Sequence, residues 1–174
     1  MAAVATGVRD AGSMIHRATA ADVESVRSIR LAALRDAPRA FTTSYEQAAA
    51  LSDEVWLDRL QADAHPTFLW SDAGGPHGMV VALHLPDEPQ HVHLVAMWVR
   101  PSARRHGAGA ALVSRVVEWA REQQVSAVRL EVVDDNESAE RLYRRCGFGP
   151  TGRTRVREHD GAVLVEMEYR LDVV

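Results

Sequence analysis

A strand end, a basic turn and a helix start follow one another between Val99 and Gly109. Gly107 and Gly109 let the backbone turn tightly and approach a ligand, so the N–H groups that open the next helix can point at a phosphate. Arg104 and Arg105 add positive charge at the same place. Taken alone, this pattern is also typical of an ordinary strand-to-helix connection. The residues predict a local anion site that the rest of the chain has to support.

A second informative stretch, residues 130–148, places an amide and a phenol on one short predicted helix. Asn136 starts that helix, where its side-chain oxygen can accept N–H groups of the first turn. This capping role is compatible with contact to a ligand. Tyr143 lies two turns further along, and its spacing with Leu142 and Ala139 would also suit an ordinary packed aromatic.

In order, spacing and element type, the two stretches resemble the cofactor-binding motifs of the GCN5-related N-acetyltransferase (GNAT) family. The first motif is Arg or Gln, two residues, Gly, one residue, then Gly or Ala, and Arg104, Gly107 and Gly109 fill it. The second motif is filled by Asn136, Ala139, Leu142, Tyr143, Gly147 and Phe148. The strict resemblance covers about residues 94–149, and the order of elements extends it loosely over residues 14–171.

The resemblance implies an acetyl-CoA enzyme whose cofactor lies where two parallel strands, residues 91–100 and 127–133, splay apart. Unpaired backbone groups of the first strand would meet the pantetheine amides, and the helix start would hold the pyrophosphate. The implied cofactor-binding residues are Met97, Trp98, Val99, Arg104, Arg105, His106, Gly107, Ala108, Gly109, Ala110, Asn136, Ala139 and Tyr143. No metal is expected, because the Gly-Lys-Ser/Thr ending of a nucleoside triphosphate loop is absent and no acidic residue is placed to hold magnesium.

By the same resemblance, Tyr143 is the candidate general acid. A phenol with a pKa of about 10 can protonate a leaving thiolate, whose pKa is about 8.5 if cysteine is a guide; alternatively, Tyr143 only hydrogen-bonds and orients the sulfur. Glu131 is the candidate base, at a position where some ribosomal-protein and peptide N-terminal acetyltransferases of the family carry one. An equal alternative makes Glu131 a surface strand residue.

Three histidines lie on predicted strands near this place. His91 and His93 share one strand face but lack an evident third metal ligand, which favours structural or substrate-facing roles. If His84 and His93 lie on adjacent strands, one of them is an alternative base, because histidine titrates near neutral pH.

These residues predict transfer of an acetyl group from acetyl-CoA to a primary amine, on a small molecule or a peptide N-terminus, by direct attack in a ternary complex. Alternatives are a non-catalytic acyl-CoA-binding or sensing domain and transfer of another acyl group. The acceptor pocket carries no recognisable motif; candidate lining residues are Phe41, Tyr45, Glu46 and Trp56. A homodimer is the family-level expectation.

Composition limits the remaining possibilities. The chain has 174 residues, 47% of them apolar, a net charge of −4 and a pI near 6.0, which argues against a general nucleic-acid binder. Its single cysteine, Cys146, excludes an intramolecular disulfide and favours a cytoplasmic protein, and no apolar run is long enough for a membrane span. Residues 1–13 are expected to form a flexible arm, followed by one acetyltransferase domain over residues 14–174.

The elements that must position these residues predict an α/β fold. It is a GNAT-like mixed, mostly antiparallel sheet of about seven strands flanked by about four helices, with a splayed parallel pair at the cofactor cleft. Strands are predicted at residues 14–18, 67–70, 79–85, 91–100, 127–133, 149–157 and 162–171. Helices are predicted after Thr19, after Ser52, beyond Gly107 and over residues 137–146, with an irregular stretch at residues 39–50.

Overall fold

The computed structural model describes residues 13–173. Its strands are β1 (Met14–Arg17), β2 (Thr67–Asp72), β3 (Gly75–Leu83), β4 (His91–Val99), β5 (Ala127–Val133), β6 (Gly149–His159) and β7 (Ala162–Asp172). Its helices are α1 (Val23–Asp36), α2 (Tyr45–Ala49), α3 (Asp53–Gln61), α4 (Ala108–Glu122) and α5 (Glu137–Arg145). The strands form one sheet in the order β1-β2-β3-β4-β5-β7-β6, in which β4 and β5 are parallel and the other neighbours antiparallel. The predicted mixed sheet is confirmed.

The sheet is covered on both faces. On one face α4 and α5 pack on the strands, and the apolar positions at helical spacing in α4 are buried as predicted. On the other face lie α1, α2 and α3, whose buried residues include Ile29, Trp56 and Leu60. A groove between the strands is lined from both faces of the sheet, by Phe41 of the α1 layer and by Tyr143 of the α4 layer.

Such a groove forms because β4 and β5 separate early. They pair only from His91 to His93 of β4 and from Ala127 to Arg129 of β5. Beyond these residues, no strand of the described part of the chain covers this edge of β4. The predicted splayed parallel pair is therefore present.

A β-bulge in β4 accompanies the separation. Val81 of β3 pairs with Val95, but Met79, two residues away, pairs with Trp98, three residues further along β4. The extra residue puts Ala96 at a positive φ of 53°. A bulge bends its strand and shifts the alternation of side chains. Hence Leu94 packs in the α4 layer while Trp98, also even-numbered, packs in the α1 layer.

Three local predictions need adjustment. Thr19 caps a short 3-10 turn, Ala20–Asp22, rather than α1, which begins at Val23. The stretch expected to be irregular contains α2, whose capping box joins Ser44 and Gln47; this spacing is a helix-start signal that apolar periodicity alone does not reveal. With α2, the α-helices number five instead of about four. Residues 1–12 of the expected flexible arm lie outside the described residues.

Candidate functional site

The turn between β4 and α4 has the backbone geometry of an anion site. Arg105 and Gly107 both adopt positive φ, 66° and 81°, and Gly107 is the N-cap of α4. Within residues 13–173, the N–H groups of Arg105, His106 and Gly107 donate to no backbone carbonyl. Successive unpaired N–H groups in such a turn, followed by a helix start, form a concave donor surface for an anion. The turn therefore offers the donors that the predicted anion site requires.

The side chain of Arg104 is already engaged at this turn. Its Nε donates to the Val99 carbonyl at 2.8 Å, and its guanidinium pairs with Asp36 at the end of α1. Asp36 also accepts from the Trp98 indole N–H at 2.9 Å. That indole bond, and to a smaller extent Arg104, lowers the pKa of Asp36 despite partial burial. Asp36 thus ties α1 to the turn, and Arg105 presents the exposed guanidinium there.

Gly109 lies in the first turn of α4 without a positive φ, so it serves close packing, and the tight turn expected of both glycines is made at Gly107. A Cβ at this position would lie 3.1 Å from Cδ2 of Leu142 and 3.5 Å from Cε of Met97. The first turn of α4 therefore approaches α5 and β4 closely. This contact between distant segments could not be seen in the motif alone.

A cavity of about 450 Å³, here called the turn cavity, lies between this turn, β4 and α5. Most of the predicted cofactor-binding residues line it: Met97, Trp98, Val99, Arg104, Arg105, Gly107, Gly109, Ala110, Asn136, Ala139 and Tyr143. His106, which is exposed, and Ala108, which is buried under the turn, do not. The structure thus brings the two motifs together around one space.

Several residues of the turn cavity were not predicted. They are Asp36, Ala37, Ala40, Phe41, Ser138, Leu142 and Arg145. The sequence had singled out two of them for other reasons: Phe41 as a candidate acceptor-pocket residue and Leu142 as a motif residue. Ser138, Leu142 and Arg145 are spaced i, i+4 and i+7, which places them on one face of α5. That spacing was an available signal for the basic side chain of Arg145.

The first and last turns of α5 carry the predicted polar residues. Asn136 caps the helix, its Oδ1 accepting from the N–H of Ala139 at 3.2 Å. Tyr143 is 6% exposed, and its ring meets that of Phe148 edge-on at 5.9 Å. Burial, with a smaller effect of Cys146, raises the pKa of Tyr143. The phenol is therefore fully protonated at neutral pH.

A second cavity of about 360 Å³, the strand cavity, lies between the separated ends of β4 and β5. It shares six lining residues with the turn cavity, namely Ala40, Phe41, Met97, Asn136, Ala139 and Tyr143. Tyr143 therefore stands where the two cavities meet. Two segments that are far apart in the chain, Phe41 and the β4 bulge at Ala96, also line the strand cavity.

Glu131 of β5 lines the strand cavity, as a candidate base should. Its carboxylate is 40% exposed and lies 3.6 Å from the guanidinium of Arg155. The sequence did not single out a second carboxylate there, Glu166 of β7, which is 6% exposed. Glu166 accepts from Arg157 Nε at 2.5 Å and lies 3.2 Å from Arg155. Two acids at alternate positions of a predicted strand, Glu166 and Glu168, were the available signal, but their spacing alone does not show which strand face is buried.

The histidines divide between two roles. His91 and His93 both face Glu88, at 3.7 Å and 3.1 Å, and Arg129 contacts the same carboxylate at 3.2 Å. His93 also lines the strand cavity. His84 follows β3 and hydrogen-bonds the Pro89 carbonyl, outside the cavities described so far. Of the two histidines considered as a base, only His93 is placed to act as one.

Two classes of feature are absent from the described residues. No group of three or more His, Cys, Asp or Glu side chains among residues 13–173 could hold a metal ion. In the same part of the chain, no helix combines the length and the apolar character needed to cross a membrane.

Comparison with known proteins identifies the family of these motifs. A model described as the acetyltransferase (GNAT) family matches residues 29–148. Mycothiol acetyltransferase from Beutenbergia cavernae is 30% identical over 115 residues, 64% of this chain and 38% of that protein. "Probable N-acetyltransferase family 8 member 5" from Mus musculus is 33% identical over 106 residues, 59% of this chain and 47% of that protein. The matched region spans less than half the length of either relative.

The fold has solved counterparts over nearly its whole length. The structure of yncA from Salmonella typhimurium, determined with its cofactor acetyl-CoA, has a TM-score of 0.79 and 19% identity, covering 94% of this chain and 95% of that chain. At this level of identity the likeness concerns the fold, and it includes the sheet that carries both cavities.

Proposed function

Since this chain belongs to the GNAT family of acetyltransferases, we propose that it transfers an acetyl group from acetyl-CoA to a primary amine by direct attack in a ternary complex. The observation that carries the proposal is that Tyr143 lines both cavities. A donor-rich turn lies on one side of this phenol and a cavity with carboxylates lies on the other.

The residues of the turn cavity fit the parts of CoA. The unpaired N–H groups of Arg105, His106 and Gly107 would hold the pyrophosphate, with the exposed Arg105 and Arg145 guanidinium groups beside it. The uncovered edge of β4, around Met97, has backbone groups that the pantetheine amides can satisfy. Arg104 would stabilise the turn through Val99 and Asp36 instead of meeting the phosphates directly.

Bound acetyl-CoA supplies the activated acetyl thioester. Tyr143, protonated and sheltered from water, donates its O–H toward the departing sulfur. Because burial raises its pKa, full proton transfer is favoured only if the thiolate is desolvated in the same space. Otherwise Tyr143 stabilises and orients the sulfur by a hydrogen bond, the alternative role considered from the sequence.

The amine must lose a proton before it attacks, and Glu131 is the proposed acceptor, directly or through water. It has one long ionic contact, 3.6 Å to Arg155. Glu166, by contrast, is enclosed by two arginines at 2.5 Å and 3.2 Å, which suits holding the shape of the cavity better than accepting protons. His93 is the alternative base, since it lines the same cavity.

We also propose a cytoplasmic location and no nucleic-acid or membrane partner, on the basis of the composition, and a homodimer, on the basis of the family resemblance. Solved structures with the same fold are named for acceptors as different as ribosomal-protein alanine and spermidine, so the fold does not select the acceptor.

Thiol release from acetyl-CoA against an amine panel tests the proposal, together with calorimetric titration of CoA. In Tyr143→Phe we expect kcat to fall about 10²-fold or more, the range of general acid catalysis, with CoA affinity within about twofold of wild type. Tyr45→Phe is the matched control. Tyr45 lies outside the cavities, with its ring 4.1 Å from the Arg35 guanidinium. Loss of the Tyr45 hydroxyl should therefore leave kcat unchanged.

Each outcome separates the candidate functions. Acetyl transfer is established if an amine causes thiol release from acetyl-CoA and Tyr143→Phe lowers the rate of that release. CoA binding without release for any amine would favour the acyl-CoA-binding or sensing domain. A protein that does not bind CoA would contradict both.

A further inference from the structure

A third cavity, of about 430 Å³, lies on the N-terminal-helix face of the sheet between α1, α3 and β3. We call it the helix cavity. Its walls are mainly apolar, with Val26, Leu60, Met79 and Val81 among them. It shares Leu83, Ala96 and Arg30 with the strand cavity, so the two spaces are neighbours on either side of the Arg30 side chain.

Three polar atoms of helix-cavity residues are buried without a partner. They are a terminal guanidinium nitrogen of Arg30, the indole Nε1 of Trp56 and the imidazole Nδ1 of His65, none of which has a hydrogen-bond partner among residues 13–173. Guanidinium and indole N–H groups can only donate, and a histidine nitrogen can do so in one tautomer. Buried donors of this kind are costly unless an acceptor meets them. Of the three residues, only Arg30 also lines the strand cavity, so its guanidinium is the donor that an acceptor group between the two cavities would meet.

Arg30 is the cation best placed to bind such a ligand. The Phe41 ring lies under its guanidinium at 4.5 Å, and no carboxylate of the described residues pairs with it. Burial, with a smaller effect of Arg59, lowers the pKa of Arg30 to about 10, so it stays charged at neutral pH. Asp58 also lines the helix cavity but is exposed and forms no ion pair with Arg30. A fixed, unneutralised guanidinium favours an anion with two oxygens in one plane, as in a carboxylate.

The charges on the two sides of Arg30 are opposite. The strand cavity presents the carboxylate of Glu131, which has one ionic contact at 3.6 Å and can attract an ammonium group, whereas Glu166 is already paired with two arginines. The helix cavity offers Arg30 and, at its rim, Arg59. A molecule with an amine, a carboxylate and an apolar group on one carbon could place each of them in a matching environment.

We propose that the acceptor is a free α-amino acid with an apolar side chain, an inference that rests on the proposed acetyl transfer. Its carboxylate binds Arg30, its amine lies in the strand cavity toward Glu131 and Tyr143, and its side chain fills the helix cavity. A polyamine would bring a second positive charge against Arg30. A peptide N-terminus would present an amide in place of the carboxylate.

The binding test uses CoA-saturated protein, which cannot react, and calorimetry with L-leucine, L-methionine and L-phenylalanine against the corresponding amino acid amides. We expect at least one acid to bind, and its amide to bind at least about tenfold more weakly. Arg30→Met should reduce the affinity for the acid to that for the amide. Arg27→Met, on the same helix and paired with Asp53 outside the cavities, should leave it within about twofold.

Arg30→Lys keeps the charge without the planar fork, and we expect an intermediate loss of affinity. Thermal unfolding of each variant shows that it is folded before binding is compared. Equal affinity for acid and amide, no binding of any of the three acids, or an Arg30→Met protein that binds the acid as wild type does would each overturn the inference.

Thiol release separates this inference from the proposed function. If the acids bind through Arg30 but no amine releases thiol, the carboxylate site stands and acetyl transfer fails. If amines react, but acids and amides have the same kcat/KM, acetyl transfer stands and the carboxylate site fails.

Discussion

The turn cavity and the helix cavity differ in how the chain builds them. The turn cavity takes most of its walls from two continuous segments, residues 97–110 and 136–145. The helix cavity combines residues 56–67, which run from α3 to the start of β2, with residues of α1, β3 and β4 that packing brings beside them. A phosphate is bound by backbone N–H groups that a short segment can arrange by itself, whereas an acceptor is recognised by side chains that only packing brings together.

Asp36 joins the two regions. It belongs to α1, the helix that carries Arg30, yet it binds the Trp98 indole and the Arg104 guanidinium at the turn. The acceptor side therefore has a direct link to the cofactor side. A substitution in the turn cavity should therefore leave binding in the helix cavity largely intact, and the reverse should also hold. A substitution of Asp36 should weaken the contact between α1 and the turn.

The largest separable effect is expected from Gly109→Val. The added methyl groups press on Leu142 and Met97, and overpacking of this kind costs about 1–3 kcal/mol of stability. Because Gly109 also lines the turn cavity, CoA should bind at least about tenfold more weakly, a loss of about 1.4 kcal/mol in binding free energy. Urea unfolding and CoA titration measure the two quantities.

Gly149→Val is the control for this change. Gly149 has open space around its Cβ position and no positive φ, so valine should be tolerated there. The separation of the two regions would be wrong if Gly109→Val weakened binding of the amino acid probe as strongly as that of CoA.

A smaller effect is expected at Asn136, where capping and ligand contact are proposed together. Asn136→Ala removes the acceptor for the Ala139 N–H and should cost about 1 kcal/mol of stability. Asn136→Ser keeps a capping oxygen on a shorter side chain, so stability should be nearly retained while kcat/KM falls as in the alanine variant. Full activity of Asn136→Ser would limit this residue to capping.

The smallest effect concerns the link at Asp36. Because its pKa is lowered in the folded protein, the carboxylate stabilises the fold above its ordinary pKa of 3.8, and this contribution is lost as the pH falls through the folded-state value. Asp36→Asn should therefore destabilise the protein at pH 7 by about 0.2–1 kcal/mol, the range for exposed ion pairs. The difference from wild type should shrink below pH 3.8. Urea unfolding at both pH values measures it, and a constant difference would exclude the ionic link.

Local patterns were sufficient for most of the fold and for the turn cavity. The apolar spacing of α4, the cap at Asn136 and the glycine turn each depend on neighbours within a few residues, which is the range over which backbone preferences act. The bulge at Ala96 was different. Nothing in the alternation of β4 located it, and it decides that Trp98 faces α1.

The sequence by itself determined the family, the order of elements and the position of the glycine turn before α4, because these depend on residue types at short spacing. Only the tertiary structure decided that Arg104 is held by Asp36, that Glu166 lies beside Glu131 and that Arg30 stands unpaired between two cavities. Those relations join residues that are far apart in the sequence. Their energy comes from charge and burial in the packed state, which no local pattern records.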